Sequence, residues 1–185
     1  VYTPFHGTGY KLIPEVLHRL GMKHVICVPE QMVVDGSFPT VVSPNPENPE
    51  GFYLAVDLAR KEGADFILGS DPDADRVGIM VNTGNGEFKV ISGNQTGVLL
   101  LDYLIGAMKR SGRLPQKPVA LKTIVTTEMA RKVAETNGVT CCDTFTGFKF
   151  MAEKKNELES QGKGQVIMSY EESYGYMLGD YVRDK

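Results

Sequence analysis

Asp71-Pro72-Asp73-Ala74-Asp75-Arg76 lies between two apolar runs, Phe66-Ile67-Leu68 and Val77-Gly78-Ile79-Met80-Val81. The three carboxylates recur at every second residue, and carboxylates this close together repel one another unless a cation lies among them. Oxygen-only ligands suit a hard ion such as Mg²⁺. We therefore predict that Asp71, Asp73 and Asp75 form a metal-binding loop at the end of a strand. Arg76 could hold a phosphate there or restrain a carboxylate.

Two simpler interpretations of this acidic loop are weaker. Asp and Pro are common turn residues, so a solvated turn would explain a single Asp-x-Asp pair. A solvated turn is a weaker explanation for three alternating aspartates that are followed by an arginine and lie between apolar runs. A calcium-binding EF-hand loop fits poorly, because the sixth position counted from Asp71 is Arg76 rather than glycine and the twelfth is Asn82 rather than glutamate.

Helical and strand-like patterns alternate along the rest of the chain. Helices are predicted over 10–20, 52–62, 95–109, 127–137 and 149–160, and strands over 25–28, 65–68, 77–81, 88–91, 119–125, 139–142 and 165–169. This alternation is typical of α/β proteins, in which helices cover a sheet. We predict two consecutive α/β/α domains, 1–92 and 93–185, each with a mixed sheet flanked by helices.

Composition excludes several classes of function. The chain has 185 residues and a formal net charge of −3 without a basic stripe, so we expect no nucleic-acid partner. No apolar run approaches the length that spans a bilayer, and we find no signal peptide, so we expect no membrane association. Cys27, Cys141 and Cys142 show no Cys-x-x-Cys spacing, which favours reduced thiols in a cytoplasmic protein over a zinc or redox site.

Other polar segments stand at predicted strand ends, where open α/β sheets usually bind ligands. Glu171 and Ser173 follow an apolar strand and could bind sugar hydroxyls, although an exposed polar loop is the favoured interpretation of this segment taken alone. Lys122 lies within an apolar strand, either as an edge-strand charge or as a phosphate contact. The early turn around His6 is glycine-rich and could approach an anion, but a lone histidine is more often structural.

Taken together and in order, five segments resemble the α-D-phosphohexomutases, the phosphoglucomutase and phosphomannomutase family. They are His6-Gly7-Thr8-Gly9, Ser43-Pro44-Asn45-Pro46-Glu47, the acidic loop, Thr146-Gly147-Phe148-Lys149 and Glu171-Glu172-Ser173-Tyr174-Gly175. The segments are spread over essentially the whole chain. The acidic loop combined with the late Glu-x-Ser loop, about a hundred residues further on, is specific, whereas each motif alone is not.

The resemblance implies that the chain is the second and third of four domains around a central cleft. The domain 1–92 would carry the metal-binding loop and the domain 93–185 the sugar-binding loop. The functional residues that it implies are Asp71, Asp73 and Asp75 for Mg²⁺, Arg76 and Lys122 for catalysis, Glu171, Ser173, Thr146, Gly147 and Lys185 for substrate, and His6 as a further cleft candidate.

The activity that the resemblance implies is the interconversion of glucose 1-phosphate and glucose 6-phosphate through a phosphoserine and glucose 1,6-bisphosphate. The phosphoserine would belong to the first domain and a phosphate clamp to the fourth. Both domains lie outside this chain, so we expect the chain alone to be inactive. Glu171-Glu172-Ser173 is more similar to glucose-type enzymes than to mannose-preferring ones, where Glu-Met-Ser-Gly-His is usual.

Three alternatives stay open from the sequence. A phosphomannomutase or another phosphohexomutase would use the same loops on another sugar. An aspartyl-phosphate phosphatase of the haloacid dehalogenase type also has Asp-x-Asp after an apolar strand, and it would form its phosphoenzyme on aspartate. A sugar-phosphate binding module would bind ligand without turnover.

Overall fold

Strands and helices alternate through the described part of the chain, which in the computed structural model is residues 1–179, Val182 and Lys185. They group into two units, Val1–Ser92 and Gly93–Lys185. Each unit contains a mixed four-stranded sheet. The predicted fold class, two consecutive α/β/α domains, is confirmed.

The sheet of the first unit has the order β1-β2-β3-β4. Its elements are β1 (Tyr2–Thr3), α1 (Leu12–Arg19), α2 (Tyr53–Glu62), β2 (Phe66–Ser70), β3 (Val77–Asn82) and β4 (Phe88–Ile91), with short 3₁₀ helices at Thr8–Tyr10, Pro29–Gln31 and Pro49–Phe52. β1 runs parallel to β2, and β2, β3 and β4 pair in antiparallel fashion. β2 and β3 are thus direct neighbours, and the acidic loop connects them.

A cluster of aromatic and aliphatic side chains fixes the end of β2. The rings of Phe5 and Phe52 meet edge to face with their centroids 4.9 Å apart, and both residues are fully buried. Gly69 makes this packing possible, because a Cβ at that position would lie 2.6 Å from the Phe52 ring. Ile67 and Met80 continue the same cluster on the neighbouring strands. The acidic loop therefore starts from a rigidly packed strand end.

The helix predicted at 10–20 is present as α1, and one other prediction for the first unit is wrong in part. None of the side chains of α1 is buried, and the apolar residues Leu12 and Leu20, at its start and just after its end, are 72% and 76% exposed. Periodicity identifies an apolar face, but it does not identify what covers that face. The strand predicted at 25–28 forms only an isolated bridge from Cys27 to Tyr2. β1 is two residues long and Pro29 has no N–H, so the pairing cannot extend.

The sheet of the second unit has the order β6-β5-β7-β8. Its elements are α3 (Gly93–Arg110), β5 (Pro118–Thr123), α4 (Glu128–Thr136), β6 (Thr140–Thr144), α5 (Phe148–Ser160), β7 (Gln165–Tyr170) and β8 (Tyr176–Leu178). β5 is parallel to both of its neighbours, and β8 is antiparallel to β7. The short strand β8 is not predicted, because three residues are too few to show a period. No helix in the described residues is long and apolar enough to cross a membrane.

Helices cover both faces of the second sheet. Ala120 of β5 packs in a cluster with Leu101 and Ile105 of α3, whereas Val119 and Leu121 pack in another cluster with α5. Successive strand side chains point to opposite faces, so a strand covered on both sides is apolar throughout. All six residues of β5 are buried, including the one lysine among them.

Cys141 on β6 provides a test of this packing. All three cysteines are free thiols, and Cys141 is buried, which raises its pKa to about 11. At pH 8 little of this thiol is ionised, so we expect iodoacetamide to alkylate it roughly a hundredfold more slowly than an unhindered cysteine. Mass spectrometry after brief labelling, with and without urea, measures the difference. Equal rates in the two conditions would show that β6 is not packed as described.

Candidate functional site

The acidic loop is closed by the hairpin that it connects. Ser70 at the end of β2 lies opposite Val77 at the start of β3, so both ends of the loop are held by the strand ladder. Asp71, Asp73 and Asp75 each offer a carboxylate oxygen, and these three oxygens lie within 4.8 Å of one another. The structure therefore brings the three predicted ligands together at a strand end.

A tight turn at Ala74 produces this convergence. The Ala74 N–H donates to the Asp71 carbonyl at 3.0 Å, and Ala74 has a φ of 60°, in the left-handed region. A non-glycine residue there costs roughly 1–2 kcal/mol, so surrounding contacts must hold the turn. Because the chain reverses at this residue, Asp75 returns toward Asp71.

Arg76 restrains the first of the three carboxylates. Asp71 is fully buried, and its two oxygens accept from the Arg76 backbone N–H at 3.0 Å and from Arg76 Nε at 2.5 Å. Burial raises the pKa of Asp71, and the bonds from Arg76 oppose that rise. Arg76 Nε also lies 3.6 Å from Asp75 Oδ1. Of the two roles predicted for Arg76, phosphate binding and the restraint of a carboxylate, the structure shows the second.

The donor set fits a small divalent cation. It consists of carboxylate oxygens only, which are the ligands that Mg²⁺ prefers. The three carboxylates outnumber the Arg76 guanidinium by two charges, so a divalent ion would balance the loop. Asp73 is exposed at the loop surface, where an ion can reach it. Metal binding by these three residues stays a prediction.

The early turn packs against the acidic loop, and its histidine supports the backbone. Thr8 N–H donates to the Pro72 carbonyl at 2.8 Å, and a Cβ on Gly7 would lie 2.4 Å from Pro72 Cα. His6 is buried, with Nδ1 2.8 Å from the Val33 carbonyl and Nε2 2.8 Å from Thr40 Oγ1. Since a carbonyl only accepts, Nδ1 donates to Val33. Both ring nitrogens of His6 are therefore bonded within the protein.

The late Glu-x-Ser loop joins β7 to β8 and brings together several predicted substrate residues. Glu171 is buried, and its Oε1 accepts from the Gly147 N–H at 2.6 Å. Its Oε2 accepts from Ser173 Oγ at 3.3 Å and lies 3.9 Å from Lys185 Nζ. Thr146, beside Gly147, is exposed. Glu171, Ser173, Gly147 and Lys185 thus converge, and their contact with a sugar stays a prediction.

Lys122 lies in the interior of the second unit rather than on an edge. β5 is flanked by β6 and β7, so the edge-strand interpretation of Lys122 is wrong. Its Nζ lies 2.7 Å from Glu128 Oε1 and 3.0 Å from Asp143 Oδ1. Burial alone would lower the pKa of Lys122, but these carboxylates outweigh it and raise the pKa. Lys122 is therefore charged and fully bonded, and its catalytic role stays a prediction.

Sequence reasoning missed a second group of polar residues at the same edge of the second sheet. Glu172 accepts hydrogen bonds from Thr123, the last residue of β5, and from Thr126 in the turn that follows. Arg131 bridges Glu128 and Asp143, the two carboxylates that enclose Lys122. Two threonines at the carboxyl end of an apolar strand were the signal that could have identified the Glu172 contact.

Two α/β/α units that gather carboxylates, hydroxyls and backbone N–H groups in loops at strand ends define an α/β protein with candidate ligand loops. Residues 1–85 match the family model for phosphoglucomutase/phosphomannomutase, alpha/beta/alpha domain II, and residues 92–185 match the model for domain III. The chain belongs to the phosphoglucomutase/phosphomannomutase family. The resemblance inferred from the sequence motifs is thereby confirmed.

Curated relatives are longer than this chain. The phosphoglucomutase of Staphylococcus haemolyticus (strain JCSC1435) is 37% identical over 185 residues, which are 100% of this chain and 33% of that protein. The phosphoglucomutase of Staphylococcus aureus (strain USA300) is also 37% identical over 185 residues, 100% of this chain and 32% of that protein. The chain thus spans about a third of the length of the curated relatives that it matches.

Solved structures share the fold. A phosphoglucomutase/phosphomannomutase family protein from Burkholderia thailandensis has a TM-score of 0.74 at 18% identity, covering 97% of this chain and 34% of that one. N-acetylphosphoglucosamine mutase from Aspergillus fumigatus, in complex with GlcNAc-6P and magnesium, has a TM-score of 0.63 at 14% identity, covering 97% and 36%. Magnesium and a sugar phosphate are therefore ligands of a protein with this fold.

Proposed function

We propose that this chain is the second and third domain of a phosphoglucomutase. The full-length protein would interconvert glucose 1-phosphate and glucose 6-phosphate through a phosphoserine and glucose 1,6-bisphosphate. The observation that carries this proposal is the convergence of three carboxylate oxygens within 4.8 Å, in a chain 37% identical along its whole length to curated phosphoglucomutases. The phosphoserine and the remaining phosphate contacts would come from the first and fourth domains of the same protein.

The residues of this chain divide the work between two loops. Asp71, Asp73 and Asp75 would hold Mg²⁺, which when bound neutralises charge on the phosphoryl group during transfer. Arg76 keeps the Asp71 carboxylate in place through two hydrogen bonds. Glu171 and Ser173 would bind sugar hydroxyls, with the Gly147 N–H orienting the Glu171 carboxylate. Since the sugar must react at both ends, these groups must accept it in two orientations.

The geometry favours a mutase over an aspartyl-phosphate phosphatase. A nucleophilic aspartate needs a free carboxylate oxygen aimed at phosphorus. Both oxygens of Asp71, the aspartate that directly follows the strand, are bonded to Arg76. Asp71 is also fully buried. Glucose is the preferred sugar in this proposal, because the curated relatives at 37% identity are phosphoglucomutases and the Glu171-Glu172-Ser173 sequence favours the glucose type.

The site of phosphorylation tests this proposal. We expect the full-length protein, incubated with labelled glucose 1,6-bisphosphate, to carry label on a serine outside this chain. The chain alone should neither take up label nor convert glucose 1-phosphate, because it lacks the nucleophile. Peptide mapping locates the label, and a Ser173→Ala variant of the full-length protein serves as the control that should still be labelled. Label on Asp71 or Asp73 would show that the protein is an aspartyl-phosphate phosphatase and not a mutase.

A further inference from the structure

We propose that Glu172 is a positioning residue, which fixes the loop that carries Glu171 and Ser173 against the turn after β5. This inference rests on the proposed function, in which that loop binds the sugar. Glu172 stands between the two predicted sugar contacts, yet its carboxylate is bonded elsewhere. Its Oε2 accepts from Thr126 Oγ1 at 2.8 Å and lies 3.1 Å from Thr123 Oγ1.

The two threonines form a preorganised pair of hydroxyl donors for the Glu172 carboxylate. Thr123 and Thr126 are 0% and 3% exposed, and their hydroxyl oxygens are 2.7 Å apart. The Thr126 N–H donates to Thr123 Oγ1 at 3.2 Å, which fixes the turn between them. Each hydroxyl has a single proton, so at least one hydroxyl must donate to Glu172 for the group to be satisfied. Bonds from hydroxyls to a charged oxygen are stronger than those between neutral groups.

Backbone packing holds the same loop from another side. A Cβ on Gly93 would lie 1.9 Å from the Glu172 carbonyl oxygen, so the start of α3 touches the loop backbone directly. Tyr176 Oη donates to the Gly93 carbonyl at 3.4 Å. Asn94, the next residue of α3, accepts from the Thr127 N–H at 2.9 Å. The loop, the start of α3 and the turn after β5 are thereby joined into one assembly.

The side chains of the adjacent residues Glu171 and Glu172 therefore bond to two different segments of the second unit. Glu171 is bonded to Gly147, before α5, whereas Glu172 is bonded to Thr123 and Thr126, before α4. Tyr174, in the same loop, has a φ of 68°, a left-handed conformation that a non-glycine residue adopts only when its surroundings impose it. Loss of the Glu172 bonds would release one side of this strained loop. Glu171 and Ser173 would then bind the sugar with a poorer geometry.

Steady-state kinetics of the full-length protein test this role. We expect Glu172→Ala and Thr126→Val each to raise the KM for glucose 1-phosphate about five- to tenfold, since each removes a hydrogen bond to a charged group. The KM of the double variant should be no higher than that of Glu172→Ala, because both changes break the same contact. Glu172→Gln, which keeps an acceptor oxygen, should recover most of the loss. The Mg²⁺ concentration for half-maximal activity should not change, and Glu157→Ala, at an exposed helix position, should behave as wild type.

Two outcomes of the kinetics would overturn the proposal. If Glu172 touched the sugar itself, Thr126→Val would leave KM unchanged while both substitutions of Glu172 raised it. If Glu172 only stabilised the fold, its variants would lower the melting temperature at unchanged KM.

Hydrogen exchange of this chain tests the same contact without any activity. The Glu171 N–H donates to the Gly175 carbonyl at 3.0 Å, which reports on loop order. We expect exchange across 171–175 to accelerate at least fivefold in Glu172→Ala and in Thr126→Val, while the β3–β4 hairpin is unaffected. Unchanged exchange in both variants would refute the positioning role. If exchange is faster in both variants but the unsubstituted full-length protein has no mutase activity, the proposed function is wrong and the positioning role stands.

Discussion

Asp73→Ala in the full-length protein is expected to abolish most of the mutase activity. Asp73 is exposed and supplies one of three convergent carboxylate oxygens, so the substitution removes a metal ligand without leaving a buried group unpaired. Loss of charge neutralisation at the phosphoryl group costs several kcal/mol, which corresponds to about a hundredfold or more in turnover. Activity measured against Mg²⁺ concentration should show a higher requirement and a lower maximum.

Asp57→Ala provides the matched control for this experiment. Asp57 is an exposed aspartate on α2, paired with Arg60 at 3.6 Å, and its loss should leave the Mg²⁺ dependence of activity unchanged. Asp71 is a poorer choice for the test, because its removal would also deprive the partly buried Arg76 of its nearer carboxylate partner. If Asp73→Ala kept the Mg²⁺ requirement of the wild type and changed only the sugar KM, the metal-binding role proposed for the acidic loop would be wrong.

Glu171→Ala is expected to reduce catalytic efficiency by a different route. A hydrogen bond to a charged group contributes about 1.5–3 kcal/mol, which corresponds to roughly a ten- to hundredfold loss in kcat/KM. The Mg²⁺ requirement and the phosphoserine should both survive, because the acidic loop is untouched. Kinetics with glucose 1-phosphate at several Mg²⁺ concentrations separate the two effects.

The Glu171 experiment needs its own comparison, because Glu171 is buried and accepts from the Gly147 N–H. Glu171→Gln keeps an acceptor for that N–H and should remain folded, so a kinetic defect in it reflects the lost charge rather than unfolding. Thermal melts of both variants provide the check. If Glu171→Gln shifted the Mg²⁺ requirement and left the KM for the sugar unaltered, the metal-binding and sugar-binding roles of the two loops would have to be reversed.

The strand and helix order of both units is predictable because local patterns determine it. The runs flanking the acidic loop become β2 and β3, and the turn containing Gly84 and Gly86 lies before β4, as hairpin signals indicate. β8 is not predictable, because it is three residues long and is ordered by pairing with β7. The covering of α1 is not predictable either, since an apolar stripe does not specify its partner.

The candidate site likewise has one part that the sequence predicts and another that it does not. The clustering of Asp71, Asp73 and Asp75 follows from their spacing within one hairpin loop, so the sequence is sufficient to predict it. The surroundings of Lys122 do not follow, because Glu128 and Asp143 reach it only after α4 and β6 have packed against β5. The Glu172 contact is hidden for the same reason, since its threonine partners lie 46 and 49 positions earlier.

These separations along the chain also bear on the order in which the two loops can form during synthesis. The bonds within the acidic loop join residues three and five positions apart, and the hairpin around it is complete once β3 has been made. The late loop needs α3, the turn after β5 and Tyr176, which bonds to a residue 83 positions earlier. Contacts this distant form late and slowly. The nascent chain can therefore assemble its carboxylate cluster long before its second loop exists.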